Sequence, residues 1–138
     1  MDLVALNIQR GRDHGLPSYN VMRSRLGLVP VASFVDVTLN ATLQSILQSL
    51  YSTPSQMDLW VGILCEDPTG DSVLGELGST IIRDQFRVLR NGDRFWFERR
   101  LSGHVLSYIK SVRLGSILQL NTQQAFPKHV FKVPKSTY

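Results

Sequence analysis

Short runs of helical periodicity, each broken by glycine or proline, constrain the fold of this chain most. The clearest run covers 40–51, where Asn40 is a suitable helix N-cap and apolar residues then recur at helical spacing until Pro54. Further helical patterns are found at 2–12, 19–26, 73–90, 103–112 and 114–120. The breaks are too frequent for a self-contained bundle. We therefore predict an all-α fold, irregular and mostly helical, with long loops.

The connections between these patterns carry their own signals. Gly15 and Pro17 are expected to end the first helix, Ser18 to cap the second and Gly27 to close it. The apolar run 57–64 is short enough to be either a buried helix or a strand. The segment 65–72 is a loop by its Pro, Gly and Asp content, and the aromatic run 94–98 is expected in the core.

Composition places the chain among globular proteins. Its 138 residues are 43% hydrophobic, which suits one small domain, and no apolar run approaches the roughly 20 residues of a membrane helix. Asp2 follows Met1 directly, so we expect no secretory signal in this chain, and the sequence leaves the localisation open. Cys65 is the only cysteine, which excludes an internal disulfide and favours a small buried residue.

Charge is unevenly distributed along the chain. Residues 1–98 carry a net charge of −3 and residues 99–138 a net charge of +7. A basic tail can bind nucleic acid or anionic membranes, but here the cations are spaced apart and are not interleaved with stacking aromatics. We interpret the tail as a solvated surface and expect no nucleic-acid partner.

No standard catalytic motif is present, and the arginines are the more informative residues. The three histidines, His14, His104 and His129, lie far apart in sequence. Arg10 and Arg12 on one predicted helix, and Arg87 and Arg90 on another, offer planar guanidinium groups that bind carboxylates. Arginines from two helices could clamp an acidic ligand. The alternative is ion pairing within the chain, with Asp13, Asp84 or Asp93 as partners.

Three motifs resemble those of one known family. The segments "DLVALNIQRGRDHGLPSYN" (2–20), "LYSTPSQMDLWVGILCEDP" (50–68) and "DQFRVLRNGDRFWFE" (84–98) resemble segments of the animal-type haem peroxidases, also called the peroxidase–cyclooxygenase superfamily. They occur in the family's order and at compatible spacings. The similarity extends over 1–122, and 123–138 is expected to be an irregular basic tail. The resemblance implies that 1–138 is the C-terminal part of a peroxidase catalytic domain.

The resemblance also implies roles for individual residues. Asn7 matches the asparagine that accepts a hydrogen bond from the proximal histidine, the iron ligand of the haem. Arg10 and Arg87 match partners of the haem propionates, so the resemblance implies that the acidic ligand of the clamp is a haem. Arg12, Asp13 and His14 are then expected to be scaffold that fixes the loop after the proximal-side helix.

What the resemblance implies for activity is peroxide reduction by a haem enzyme. The complete protein is expected to bind haem, reduce hydrogen peroxide and oxidise a small electron donor such as a halide, a pseudohalide or an organic molecule. The family's proximal and distal histidines, and a possible calcium site, match positions upstream of this chain. The chain alone is therefore expected to be inactive without the N-terminal part of the domain. The alternative is a non-catalytic binding or structural module derived from a peroxidase.

Overall fold

Helices joined by loops make up the part described by the computed structural model, which covers residues 2–70, 72–127 and 129–131. These residues form eight α-helices and two single-turn 3-10 helices, at Phe34–Asp36 and Pro54–Gln56, and no strand. The α-helices are α1 Leu3–Asp13, α2 Tyr19–Arg25, α3 Ala41–Leu50, α4 Leu59–Cys65, α5 Glu76–Gly92, α6 Phe97–Arg100, α7 Gly103–Ser111 and α8 Leu114–Thr122. The prediction of an all-α, mostly helical fold is confirmed. None of the described helices is long and apolar enough to cross a membrane.

Two compact units divide the chain, Met1–Val88 and Leu89–Tyr138. The first unit holds the hydrophobic core, which consists of Tyr19, Phe34, Val37, Leu47, Met57, Leu59 and Leu77. Amphipathic α3 contributes Leu47 to this core, and Asn40 caps the helix because its Oδ1 accepts a hydrogen bond from the Leu43 N–H. Burial of these side chains supplies the main stabilisation of the first unit.

Helix α1 has well-defined ends. The Asp2 carboxylate accepts hydrogen bonds from the N–H groups of Val4 and Ala5 at its start. At its end, Gly15 adopts φ +64 and the Leu16 N–H donates to the Gly11 carbonyl at 3.0 Å. This is a Schellman motif, in which the left-handed residue is best a glycine. The predicted stop at Gly15 is confirmed.

Packing decides the ambiguous segment 57–64 in favour of a helix. Its C-terminal part is α4, where Gly62 packs against the ring of buried Tyr19 so closely that a Cβ atom would overlap the ring. The Tyr19 N–H also donates to the Met57 carbonyl at 3.0 Å. The sequence alone did not settle this choice because the contact partner of Gly62 lies 43 residues away.

The second unit buries little. Of its described residues only Gly115 is fully buried, and a Cβ atom there would lie 2.6 Å from the Pro127 carbonyl oxygen. The expected aromatic core at 94–98 is wrong for Phe95, which is 61% exposed, since a unit this small offers too little apolar surface to cover the ring. Helix α8 ends at Thr122, and 123–127 and 129–131 contain no helix; the rest of the predicted tail lies outside the described residues.

Candidate functional site

The predicted residues Asn7 and Arg10 lie together on α1. They are three positions apart, so they share one face of the helix, and an Arg10 Nη2–H donates to the Asn7 Oδ1. Asn7 is half-buried, whereas Arg10 is exposed. The structure thus presents an amide oxygen and a guanidinium group side by side on α1.

A carboxylate directly before α4 holds the end of the same helix. Asp58 accepts from Arg12 through both oxygens, with Nε to Oδ1 at 2.9 Å and Nη2 to Oδ2 at 2.7 Å. The Tyr51 hydroxyl donates to the same Oδ2 at 2.7 Å. Arg12 and Asp58 also line a narrow cleft between α1 and α4, together with apolar side chains that include Ile8 and Leu16. Arg12, which was predicted to be scaffold, therefore links α1 to Asp58 and, through that carboxylate, to Tyr51 at the end of α3.

The electrostatics of this network follow from its hydrogen bonds. The Arg12 guanidinium is the first cause that holds the pKa of Asp58 below its ordinary value of 3.8, and the Tyr51 hydroxyl adds to the effect. The same hydrogen bond raises the pKa of Arg12. Burial, followed by the hydrogen bond to Asp58, raises the pKa of Tyr51 to about 12. Asp58 is thus anionic and Tyr51 neutral at physiological pH.

The side-chain hydrogen bonds of His14 and Asp13 to other described residues stay within α1. His14 Nδ1 lies 2.8 Å from the Arg10 carbonyl oxygen, which can only accept, so that nitrogen carries the proton. The Asp13 Oδ1 accepts from Gln9 at 2.7 Å. In the described part of the chain, no group of three or more His, Cys, Asp and Glu side chains could hold a metal ion.

Arg87 lies on α5 and pairs with an acid of its own helix. Its Nη2 donates to the Asp84 Oδ1 at 2.8 Å. The Arg87 side chain is 65% exposed and that of Asp84 50% exposed. The alternative of intramolecular pairing is therefore confirmed for Arg87 with Asp84. The clamp of Arg10 and Arg87 on one acidic ligand stays a prediction.

Sequence reasoning missed a buried charge network that connects α2, α4 and α5. Glu66, directly after α4, accepts from the Tyr19 hydroxyl at 2.8 Å and from Arg23 Nη1 at 3.2 Å. The same carboxylate accepts from the Leu77 N–H at 3.0 Å, at the start of α5. Arg23 also donates to Glu76 at 2.5 Å. One signal was available, because Arg23 lies four residues after Tyr19, on the same face of α2.

Comparison with protein families and curated proteins finds similarity to haem peroxidases over most of the chain. A family model described as "Animal haem peroxidase" matches residues 1–131. Peroxidasin homolog pxn-2 from Caenorhabditis elegans is 45% identical over 126 residues, covering 88% of this chain and 10% of that protein. Thyroid peroxidase from Sus scrofa is 38% identical over 122 residues, covering 79% of this chain and 13% of that protein.

A solved structure shares the fold of most of the chain. Peroxidase A from Dictyostelium discoideum has a TM-score of 0.79 and 34% identity, covering 94% of this chain and 26% of that one. The chain thus spans about a tenth of the length of the curated relatives and about a quarter of this structure.

Proposed function

The chain belongs to the animal haem peroxidase family, and from this premise we propose that it forms the part of a peroxidase domain that orients the proximal histidine and binds the haem propionates. In this proposal 1–138 is a partial haem peroxidase domain, in which 1–122 resembles the family and 123–138 is an irregular basic tail. The observation that carries the proposal is the pair formed by Asn7 and Arg10 on one face of α1, held in place by Arg12 and Asp58.

Asn7 supplies the hydrogen-bond acceptor. An amide oxygen has two lone pairs, and in the structure Arg10 uses one of them. The second lone pair is available to the N–H group of a proximal histidine. Accepting that hydrogen bond fixes the imidazole ring and makes its other nitrogen a stronger donor to iron.

Arg10 and Arg87 fit the carboxylates of a haem. Each guanidinium is exposed and carries five N–H donors, of which Arg10 uses one on Asn7 and Arg87 one on Asp84. The remaining donors suit bidentate binding of a propionate. When bound, the haem supplies the iron centre at which hydrogen peroxide is reduced. The proximal and distal histidines, and the possible calcium site, belong to another part of the domain, so the isolated chain is inactive.

A segment exchange tests the proposal. We define the chimera as peroxidase A from Dictyostelium discoideum in which this chain replaces the matched quarter of the sequence. We expect the chimera to bind haem with a Soret band and to oxidise a small donor with hydrogen peroxide. In the chimera, Arg10→Ala and Arg87→Ala should each raise the rate of haem loss on the order of tenfold, since each removes a charge-assisted hydrogen bond.

Asn7→Ala has a distinct expected result. Loss of the acceptor makes the proximal imidazole less electron-rich, so the ferric–ferrous reduction potential should rise and activity should fall about 10- to 100-fold. The control is Arg83→Ala, which changes an exposed arginine on α5 and should match the unsubstituted chimera.

A folded chimera without a Soret band would overturn the proposal and favour a non-catalytic module. Substitutions at Asn7, Arg10 and Arg87 that all behave like the control would overturn the residue assignments.

A further inference from the structure

Helix α1 carries the proposed haem-facing residues but is weakly anchored by its own apolar side chains. None of its residues is fully buried, and Leu3, Val4 and Leu6 are 66%, 55% and 45% exposed. Apolar packing within the described residues therefore leaves the rotation of α1 about its axis poorly fixed. Some other contact must set the direction in which Asn7 and Arg10 point.

The fork between Arg12 and Asp58 is suited to that task. Two parallel hydrogen bonds to one carboxylate fix the plane of the guanidinium as well as its distance. The Asp58 side chain is 18% exposed and that of Arg12 58% exposed, so Asp58 is the anchored partner. Its neighbours along the chain, Met57 and Leu59, are 0% and 7% exposed, which fixes the backbone on both sides of the carboxylate.

The hydroxyl of Tyr51 completes the anchor. It donates to the Oδ2 of Asp58 that also accepts from Arg12 Nη2, so the carboxylate is held from two directions. Tyr51 follows the last residue of α3, and its backbone N–H donates to the Leu47 carbonyl at 2.8 Å. The core residue Leu47 thus connects through Tyr51 to the carboxylate that holds α1.

We propose that Asp58 is a positioning residue for the haem site: through Arg12 it sets the rotation of α1 and thereby aims Asn7 at the proximal histidine and Arg10 at a propionate. Arg12 is two positions after Arg10 and five after Asn7 on the same helix, so a rotation at one is transmitted to the others. The inference rests on the proposed function, because it assigns Asp58 a role only through those two residues.

The test measures the reduction potential and the rate of haem loss in the chimera. Asp58→Asn removes the charge, and Arg12→Lys keeps the charge but loses the fork. Both should shift the reduction potential in the direction of Asn7→Ala and speed haem loss severalfold. The matched control is Asp67→Asn, whose carboxylate holds Thr38 and the Leu39 N–H at 2.7 Å each, within the same unit and through contacts that do not involve α1.

Each outcome decides the matter. If Asn7→Ala shifts the potential but Asp58→Asn and Arg12→Lys do not, the inference fails and the proposed function stands. If Asn7→Ala itself leaves the potential and haem retention unchanged, both fail. Equal shifts in Asp58→Asn and Asp67→Asn would mean general destabilisation and would also overturn the inference. If Asp58→Asn prevents folding of the chimera, Arg12→Lys gives the same comparison by a milder change.

Discussion

Glu66 is the residue on which the packing of the first unit depends most visibly. Its side chain is 5% exposed and accepts hydrogen bonds from Tyr19, Arg23 and the first turn of α5. A carboxylate at this depth is tolerated only when its oxygens are paired, and here each has a donor. Glu66 therefore acts as the N-terminal cap of α5 and as the counter-ion of Arg23 at once.

We predict different costs for the two carboxylates that face Arg23. Glu66→Gln should lower the free energy of unfolding by about 3 kcal/mol. It removes the buried negative charge that pairs with the Arg23 guanidinium, and it places an NH₂ group against N–H donors such as that of Leu77. Glu76→Gln should cost less than about 1 kcal/mol, because that side chain is 54% exposed. Urea unfolding of the chimera measures both; equal losses would contradict the assignment of Glu66 as the buried member.

We expect the stability of the first unit to depend on pH through the ionisation of Asp58. Its pKa is lowered in the folded state, so the stabilisation is fully present above the ordinary value of 3.8 and is lost as the pH falls through the lowered folded pKa. The melting temperature of the chimera should therefore decline below about pH 4. Asp58→Asn should be less stable at neutral pH and should show a shallower decline. If the melting temperature of the Asp58→Asn variant fell with acid as steeply as that of the unsubstituted chimera, Asp58 would not be the source of this pH dependence.

Among the helices, α1 offers a matched pair of glycines with opposite expected effects. Gly15 adopts φ +64 in the Schellman motif, so Gly15→Ala should cost about 1 kcal/mol. Gly11 lies inside the helix, where an added Cβ would meet only Leu16 Cδ1 at 3.5 Å, and Gly11→Ala should therefore stabilise by about 0.5–1 kcal/mol. Amide hydrogen exchange of α1 in the chimera distinguishes them; destabilisation by both would contradict the cap assignment.

Most of the α-helices were predictable from sequence because their signals are local, although α4 was left open between helix and strand and α6 was not predicted. The caps at Asn40 and Gly15 and the apolar period between 40 and 51 each involve residues within a few positions of one another. Helices at 103–112 and 114–120 were predicted and are found at Gly103–Ser111 and Leu114–Thr122. Such short-range features survive whatever the rest of the chain does, which is why pattern and turn chemistry identified them.

The contacts that build the site were not predictable, because their partners are far apart in sequence. Arg12 was expected to be scaffold, but nothing near it indicated Asp58, which is 46 positions away. The same holds for Arg23 and Glu66, 43 positions apart. Arg10 was singled out by its residue type and Asn7 only through the family resemblance, and their haem contacts stay a prediction.

For the molecule as a whole, the distribution of apolar surface is the informative quantity. Leu50 and Leu120 are 70% and 80% exposed, and Phe86 on α5 is 64% exposed. The second unit has one fully buried residue among those described. Monomeric globular proteins leave single apolar residues exposed, but extended apolar faces on several helices are typical of surfaces that pack against other protein.

The isolated chain should therefore be only partly ordered. We expect it to bind a hydrophobic dye such as ANS and to melt without a sharp cooperative transition, since the core of the first unit is small and the second unit has almost none. In the chimera the same segment should lose dye binding and melt with the whole, because in our proposal the rest of the peroxidase domain packs against its apolar faces. Scanning calorimetry and dye fluorescence on the two proteins provide the comparison. A sharp, dye-free transition of the isolated chain would contradict the expected partial order and would show that the segment folds without the rest of the domain.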